Sequence, residues 1–294
     1  MSGLAAASRG AGASASSESP ARMERIAHST RRLLVYTVLL AFSLYIVGPF
    51  AAILVNAFGQ GWFGGRWLPE TWTLKWFRFA RTVADLPTLM TNSLTIAGLA
   101  IAISLAVGIP TAWAMAKRRV RARALLMALI LLPRMVPPIT IALGVSREFY
   151  GFHLVDTHLG IALAHSILII PLVVLIMSAT FEGLDDRVLE AARVCGARWT
   201  HTSWYVIRPL VMPGLLAATL FGFVTSLNEF TLTLLTYGPR TVTLTVETYV
   251  QIGQGFTTIA SALSAILLVP SLILLVLIQN HIKPENVVGG TKGI

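Results

Sequence analysis

Six long stretches of largely apolar residues decide what this chain of 294 residues can fold into. Each stretch is at least as long as the roughly 20 residues that an α-helix needs to cross the hydrocarbon core of a bilayer. A helix satisfies its backbone amides within its own segment, as lipid requires. The sequence therefore predicts an all-α integral membrane protein with six transmembrane helices. The stretches are Leu33–Val55, Leu89–Ala116, Ala124–Val145, Leu159–Thr180, Gly214–Thr236 and Ile259–Gln279.

The composition agrees with a membrane protein and excludes several other classes of protein. Charged residues make up only 12% of the chain and hydrophobic residues 55%, with a mean hydropathy of +0.73. A soluble globule could not bury this much apolar side chain, and a disordered chain would contain far less of it. The single cysteine, Cys195, excludes an intrachain disulfide and a zinc site built from cysteines.

The distribution of basic residues predicts which side of the membrane each loop occupies. Sixteen of the 23 Lys and Arg residues fall in the N-terminal segment, the loops after the second and fourth stretches, and the C-terminal tail. Basic residues concentrate in cytoplasmic loops, so both termini are predicted to face the cytoplasm. This topology explains the net charge of +10. We expect no nucleic-acid binding, because the densest basic cluster, residues 117–123, is a short loop without aromatic side chains for base stacking.

Three regions follow from this topology: a mobile cytoplasmic arm at residues 1–30, a transmembrane domain at residues 31–283 and a cytoplasmic tail at residues 284–294. The arm is rich in Ala, Ser and Gly, and the apolar stretch after it is longer than that of a usual signal peptide, so cleavage is not expected. Four tryptophans in the first external loop predict a segment at the water–lipid interface, with a binding role left open. They are Trp62, Trp67, Trp72 and Trp76.

The cytoplasmic loop at residues 181–213 is longer than a connection between packed helices requires. Two aspartates can begin a short helix, and Gly196 can adopt the left-handed conformation that ends one. A second amphipathic segment follows over residues 197–207, until two prolines are predicted to stop it. This helix–glycine–helix unit is either a hairpin on the membrane surface or a docking element for another protein. The residues concerned are Asp185 and Asp186 at the start and Pro209 and Pro213 at the end.

This loop resembles the signature loop of the membrane subunits of binding-protein-dependent ABC importers. The family pattern is Glu-Ala-Ala, three further residues, Gly, and later an apolar residue two positions before Leu-Pro. The chain departs from the pattern at Arg208, which stands where the family usually has leucine. The matching residues are Glu190, Ala191, Ala192, Gly196, Val206 and Pro209.

Further likeness to the same family covers about residues 89–281. The second stretch opens with Asn92-Ser93-Leu94 and closes with Ala112-Trp113-Ala114-Met115, and both runs are familiar in these permeases. The segment LNEFTLTLLTYGPRTVTLTVETYV resembles the branch whose members import the polyamines spermidine and putrescine. Related branches import ferric ion or aminophosphonates, which remain alternative substrates.

The resemblance implies a fold and a set of partners. The fold is that of a type I ABC importer permease, multi-pass in the bacterial cytoplasmic (inner) membrane, non-catalytic and with no cofactor of its own. The implied partners are a cytoplasmic ABC ATPase dimer that binds ATP-Mg, a second homologous permease subunit and an extracytoplasmic solute-binding protein. The segment Glu190–Gly196 is the implied ATPase-coupling element. The sequence agrees with a separate ATPase, because no lysine stands in a Gly-Lys-Ser/Thr phosphate loop.

Few polar residues fall within the predicted spans, and two interpretations stand for each. Asn228 and Glu229 in the fifth stretch either line the solute pathway or hydrogen-bond to a neighbouring helix or partner permease. Arg134 lies among prolines, and we expect it to snorkel or cap where the third helix is broken near one end, rather than to contact substrate. We expect His165 to be a packed, hydrogen-bonded histidine rather than a ligand.

Two other classes of function compete with the importer interpretation. An ion-gradient-driven secondary transporter would need several ionisable residues near the midplane of the membrane. An intramembrane enzyme would need converging acids and histidines, for which only His165 and Glu229 qualify. No catalytic residues and no metal ligands are therefore expected, and the loosely spaced external trio is too weak a pattern for a metal site. That trio is His153, Asp156 and His158.

Overall fold

Helices account for almost all of the regular structure in this computed structural model, which describes residues 20–62, 68–118 and 120–279. The strands in that part of the chain are two-residue pieces, Gly59–Gln60 and Thr71–Trp72, which pair antiparallel. The helices are α1 Pro20–Phe58, α2 Lys75–Thr82, α3 Leu86–Lys117, α4 Arg123–Met135, α5 Pro138–Gly151, α6 His158–Glu182, α7 Asp186–Val194, α8 Trp199–Thr202, α9 Arg208–Leu227, α10 Thr231–Thr236, α11 Leu244–Gly253 and α12 Thr257–Gln279.

The all-α membrane fold expected from the sequence is confirmed. Five helical segments of the described chain are long and apolar enough to cross a bilayer, and a bent pair of shorter helices supplies up to one more. The five are Arg31–Phe58, Leu86–Lys117, His158–Glu182, Trp199–Leu227 and Thr257–Leu277, and the bent pair is Arg123–Met135 with Pro138–Gly151. Four of the five helices correspond closely to the first, second, fourth and sixth predicted stretches, whereas the third and fifth predicted stretches differ from the structure.

The third predicted span is not one helix, and its break lies in the middle rather than near one end. Helices α4 and α5 meet at an angle of 91°. Val136 has φ −84° and ψ 139°, and Pro137 has φ −54° and ψ 129°, so both residues are extended. Proline disfavours the helical conformation in the residue before it, and the two consecutive prolines therefore interrupt the helix.

The first helix begins earlier than the sequence analysis predicted. Helix α1 starts at Pro20, within the segment at residues 1–30 expected to be a mobile arm. Proline is favoured in the first turn, since its φ is preset and its missing N–H has no partner there, and the following Ala-Arg-Met-Glu-Arg residues are good helix formers. Residues 1–19 and the expected tail at residues 284–294 lie outside the described residues.

The core is built where α3, α6 and α9 pack together. Ile169, Val173 and Met177 of α6 are fully buried, and Ala218 of α9 and Ala100 of α3 lie in the same apolar cluster. Small residues let membrane helices approach each other closely. The external ends of α2, α3, α11 and α12 form a second apolar cluster around Leu244 and Leu263.

Gly214 allows the closest approach between α6 and α9, because a Cβ there would overlap the Thr180 side chain. We expect Gly214→Leu to push the two helices apart and to destabilise the fold by about 1–3 kcal/mol, the usual range for overpacking. Gly98→Leu on α3 is the matched control, since a Cβ at Gly98 meets nothing within 4 Å. The midpoint of thermal unfolding in detergent measures both, and equal losses would contradict this packing argument.

Candidate functional site

The cytoplasmic loop after α6 forms a capped helix, as the sequence predicted. The Asp185 side chain accepts a hydrogen bond of 2.9 Å from the backbone N–H of Arg187 and caps the start of α7. Leu189 faces inward at 8% exposure and joins the same apolar cluster as Leu184. The buried leucine holds α7 against the ends of the transmembrane helices, while the opposite face of α7 stays outside the core.

Gly196 ends this helix in a Schellman motif. Its φ of +75° lies in the left-handed region, where glycine is favoured. The Gly196 N–H donates to the Arg193 carbonyl at 2.9 Å, and the Ala197 N–H donates to the Ala192 carbonyl at 3.0 Å. A Cβ at Gly196 would meet nothing within 4 Å, so the backbone conformation rather than space requires a glycine.

The second segment of the loop does not stop at the prolines. Helix α8 runs through a π-helical turn, Ser203–Ile207, directly into α9. Pro209 has no N–H to donate, and the Arg208 N–H donates instead to the Ser203 carbonyl five residues back. The π turn thus absorbs the missing hydrogen bond, and a continuous helical segment, Trp199–Leu227, results.

The predicted coupling residues are distributed along this unit. Glu190 and Ala191 are exposed on α7, Ala192 is half-buried and Gly196 forms the turn; Val206 is half-buried in the π turn and Pro209 is exposed at the start of α9. Part of the apolar face that the sequence predicts for this amphipathic helix is exposed. Val194 is 88% exposed, Val188 is 41% exposed and Cys195 is exposed beside them. Such an unpartnered apolar face is typical of a protein contact site.

Polar contacts join the cytoplasmic ends of the transmembrane helices to one another and to the start of α7. Lys117 Nζ donates to the Leu184 carbonyl at 2.8 Å and to Asp186 Oδ1 at 2.6 Å, which joins the end of α3 to the start of α7. Arg123 and Glu182 form an ion pair between α4 and α6. A cavity of about 460 Å³ opens between α3 and the loop, and Glu190 lines it.

An aromatic cluster completes this anchorage. Trp113 of α3 packs edge-on against Phe181 of α6 and Trp199 of α8, with ring centroids 5.1 and 5.5 Å apart. Edge-to-face pairs of this kind are favourable and directional. Polar anchors and stacked rings therefore connect α7 and α8 to α3 and α6.

Glu229 is not in the middle of a helix, in contrast to the sequence analysis. Helix α9 ends at Leu227, and α10 begins at Thr231. Glu229 Oε1 accepts a hydrogen bond of 2.6 Å from the Leu232 N–H and caps α10, while Asn228 Nδ2 donates to the Val224 carbonyl at 2.8 Å. Short polar side chains can satisfy free backbone groups at such breaks. Glu229 is half-buried and Asn228 is exposed.

The two broken segments meet on α6. Ala142 of α5, Ala164 of α6 and Leu232 of α10 form one buried apolar cluster. Arg134 Nη1 donates to the Leu168 carbonyl at 3.1 Å, so it bridges α4 to α6. Non-helical backbone at membrane depth is tolerated where protein buries it or where it lines a polar cavity.

His165 is a packed, hydrogen-bonded histidine, as predicted. It is 2% exposed, and its ring nitrogens lie 2.8 Å from Ser226 Oγ of α9 and 2.8 Å from Thr233 Oγ1 of α10. The ring therefore holds the end of α9 and the start of α10 at a fixed separation across the break. Neither partner could be predicted from the sequence, because each lies more than 60 residues away in the chain.

On the external side, Asp156 belongs to a polar network. It accepts hydrogen bonds from Thr241 Oγ1 at 2.9 Å and from the Arg240 N–H and Nε at 3.0 and 3.1 Å. Burial by itself raises the pKa of Asp156, but these hydrogen bonds outweigh it and hold the pKa below its usual value. In the described part of the chain, no three His, Cys, Asp or Glu side chains converge as metal ligands.

The same network extends to α3 and fastens the loop between α10 and α11. Asn92 Nδ2 donates to the Arg240 and Val242 carbonyls at 3.1 and 2.9 Å, and the His158 Nε2–H donates to Asn92 Oδ1 at 2.8 Å. The Leu244 N–H donates to Ser93 Oγ of α3 at 2.9 Å. The Asn-Ser-Leu run singled out in the sequence is thus where that loop attaches.

The external tryptophans are placed only in part. Trp76 Nε1 donates to the Gly59 carbonyl at 2.8 Å, and Trp72 is 63% exposed, as expected of an interfacial segment. Trp62 is 36% exposed, and Trp67 lies outside the described residues.

Comparison with known proteins identifies the family. The sequence model of the family described as "binding-protein-dependent transport system inner membrane component" matches residues 104–286. The spermidine/putrescine transport system permease protein PotC of Escherichia coli (strain K12) is 28% identical over 251 residues, which cover 84% of this chain and 93% of that protein. Similarity of this extent spans both chains almost throughout.

Solved structures agree with the fold. The chain resembles a chain of a bacterial ABC transporter involved in the import of the acidic polysaccharide alginate, with a TM-score of 0.67 and 21% identity over 89% of this chain and 98% of that chain. It also resembles a bacterial alginate ABC transporter in complex with a pentasaccharide-bound periplasmic protein, with a TM-score of 0.65 and 14% identity over 85% of this chain and 93% of that chain. Because the family model covers more than half of the sequence, the chain belongs to the inner membrane components of binding-protein-dependent transport systems, the permease subunits of ABC importers.

Proposed function

We propose that this chain is the permease subunit of a polyamine importer in the bacterial cytoplasmic membrane. The main support for a polyamine substrate is the similarity to the spermidine/putrescine permease, which extends over nearly the whole of both proteins. The carboxylate of Glu229, at the break between α9 and α10, suits a polycation, since an acid held at membrane depth is retained where it meets water, a partner or a substrate. An extracytoplasmic binding protein delivers the polyamine to this pathway.

The same proposal gives α7 the role of the docking element for a separate ATPase dimer, which holds ATP-Mg. The exposed apolar face of α7, around Val194, offers a surface that the described part of the chain leaves uncovered. Glu190 lies exposed on the same short helix and offers a carboxylate to a basic residue of the ATPase. ATP binding then shifts the transmembrane helices between two states through contacts that differ between them.

A second, homologous permease subunit completes the pathway in this proposal. Two coupling loops, one from each subunit, dock on the two ATPase subunits. The alginate-importer chain that this protein resembles supports an arrangement in which the permease works with a periplasmic binding protein. Closure of the ATPase dimer would draw the two loops together and move α3 and α6 through the Trp113 and Lys117 contacts.

The test is co-purification from the native membrane with Glu190→Lys as the variant. We expect the tagged chain to carry an ATP-hydrolysing subunit in mild detergent, and Glu190→Lys to lose most of it, because charge reversal replaces attraction to a basic partner with repulsion. Glu148→Lys reverses the charge of an exposed residue on α5; it is the matched control and should retain the ATPase. Equal ATPase recovery with both variants would contradict the docking assignment.

The substrate is tested separately on the assembled importer in proteoliposomes. Spermidine-loaded binding protein is expected to stimulate ATP hydrolysis and uptake. An importer that couples ATP hydrolysis to another solute, and ignores spermidine and putrescine, would contradict the polyamine assignment while leaving the docking role of α7 intact.

A further inference from the structure

A groove of about 670 Å³ opens between α3, α6 and α9 near their cytoplasmic ends. Its walls are mostly apolar: Ile109 and Pro110 come from α3, Met177 from α6, and Val211 and Leu215 from α9. Walls of this kind favour a hydrocarbon chain over water, because the chain gains dispersion contacts with them and leaves water.

The charged residues that line the groove, among the described residues, are two arginines and no acid. Arg118 is at the end of α3 and Arg208 is at the start of α9. The Arg208 guanidinium lies 4.1 Å from the centroid of the Trp204 ring, which holds it in place by a cation–π contact. Both side chains are exposed, so both can reach a ligand from the membrane or the cytoplasm.

Aromatic residues place this end of the groove at the level of the lipid headgroups. Trp199, Trp204 and Tyr205 are all more than half exposed on the α8 and π-helical segment. Exposed tryptophan and tyrosine concentrate where a membrane protein crosses the boundary between lipid and water. The apolar part of the groove runs from this boundary along α3 and α9 towards the hydrocarbon.

We propose that the groove binds one anionic phospholipid of the cytoplasmic leaflet. The lipid phosphate lies between Arg118 and Arg208, since guanidinium groups match phosphate with paired, charge-assisted hydrogen bonds. One acyl chain lies along the wall formed by Ile109, Val211 and Leu215. Basic pockets between transmembrane helices on the cytoplasmic side are suited to such headgroups.

The site adjoins the cytoplasmic loop that contains Gly196. Trp113 and Trp199 line both this groove and the neighbouring cavity beside Glu190. A bound lipid therefore packs against the same two rings that link α3 to α8.

Native mass spectrometry of the full chain, released from nanodiscs of phosphatidylcholine with phosphatidylglycerol, tests the site. We expect one retained phosphatidylglycerol per chain, preferred over phosphatidylcholine by about tenfold or more, the scale expected of two arginines at a headgroup. The double variant Arg118→Gln and Arg208→Leu should lose this preference. Leu215→Trp, which fills the groove, should reduce the retention of both lipids.

The matched control removes two exposed cytoplasmic arginines that do not line the groove, Arg121→Gln with Arg187→Gln, and should keep the preference. A similar loss in this control would mean that general basic charge attracts the lipid, and it would overturn the site. Equal retention of both lipids by the unaltered chain would also overturn it.

Protein occupancy of the groove is the remaining outcome. Cross-linking of two copies through Ala114→Cys, in a Cys195→Ser background and with no lipid retained, would show that protein covers the groove. That result would replace the lipid site with an interface between subunits.

Discussion

Gly196→Pro abolishes ATP-driven uptake while the chain remains in the membrane at its normal level. Proline holds φ near −65°, but the backbone at this position has φ +75°, and proline also removes the N–H that donates to the Arg193 carbonyl. The Schellman motif cannot form, and the end of α7 loses its direction. Because a Cβ at Gly196 would meet no described residue beyond its chain neighbours within 4 Å, we expect membrane insertion and the helical core to be unaffected.

A graded series separates the backbone effect from the size of the side chain. Gly196→Asn should retain most uptake because asparagine tolerates left-handed φ, and Gly196→Val should be impaired, since a left-handed conformation costs a side chain with Cβ roughly 1–2 kcal/mol. Arg198→Pro is the proline control in the same loop, since its φ is already −66°. Uptake and chain level in the membrane are measured for all four. Wild-type uptake by Gly196→Pro would contradict the coupling role of the loop.

Glu229→Gln raises the apparent KM for polyamine uptake by about tenfold or more, the scale of one lost contact to a charged group. The glutamine amide oxygen can still accept the hydrogen bond from Leu232, so α10 keeps its cap and only the negative charge is removed. Uptake of labelled spermidine by the assembled importer, over a range of loaded binding protein and with chain abundance matched, measures the effect.

Two control variants test whether the effect comes from the charge at position 229. Glu229→Asp retains the carboxylate and should retain most uptake. Glu247→Gln neutralises another half-buried acid, which accepts a hydrogen bond of 2.6 Å from Gln251 on α11, and should leave KM unchanged. If Glu229→Gln imports spermidine with an unchanged KM, Glu229 acts as a helix cap and not as part of the pathway.

Local patterns predicted those parts of the structure whose cause is local. Four of the six apolar stretches became membrane-length helices with similar bounds, because each helix satisfies its own backbone in lipid. Asp185 and Gly196 marked the start and end of α7, since capping depends on residues within one or two turns. The same loop carried the resemblance to the family, which the family model confirmed.

The errors arose where proline and polar residues act through their surroundings. Pro137 and Pro138 bend a helix by 91°, whereas Pro209 is accommodated by a π turn and stops nothing. Glu229 is a helix cap because α9 ends at Leu227, and the short helix α10 that follows packs against α5 and α6. A proline in the sequence does not by itself predict whether the helix bends or continues, since the outcome depends on whether neighbouring helices can satisfy the freed backbone groups.

The sequence by itself therefore determined that the chain is a membrane protein, how many apolar stretches it has and where α7 ends at Gly196. Only the tertiary structure decided that His165 joins Ser226 to Thr233, that Asn92 fastens a loop about 150 residues away, and which polar residues meet at the breaks. The physical reason is one of distance along the chain. Hydrophobic burial and helix capping act over a few neighbouring residues, but hydrogen bonds between helices depend on how those helices pack.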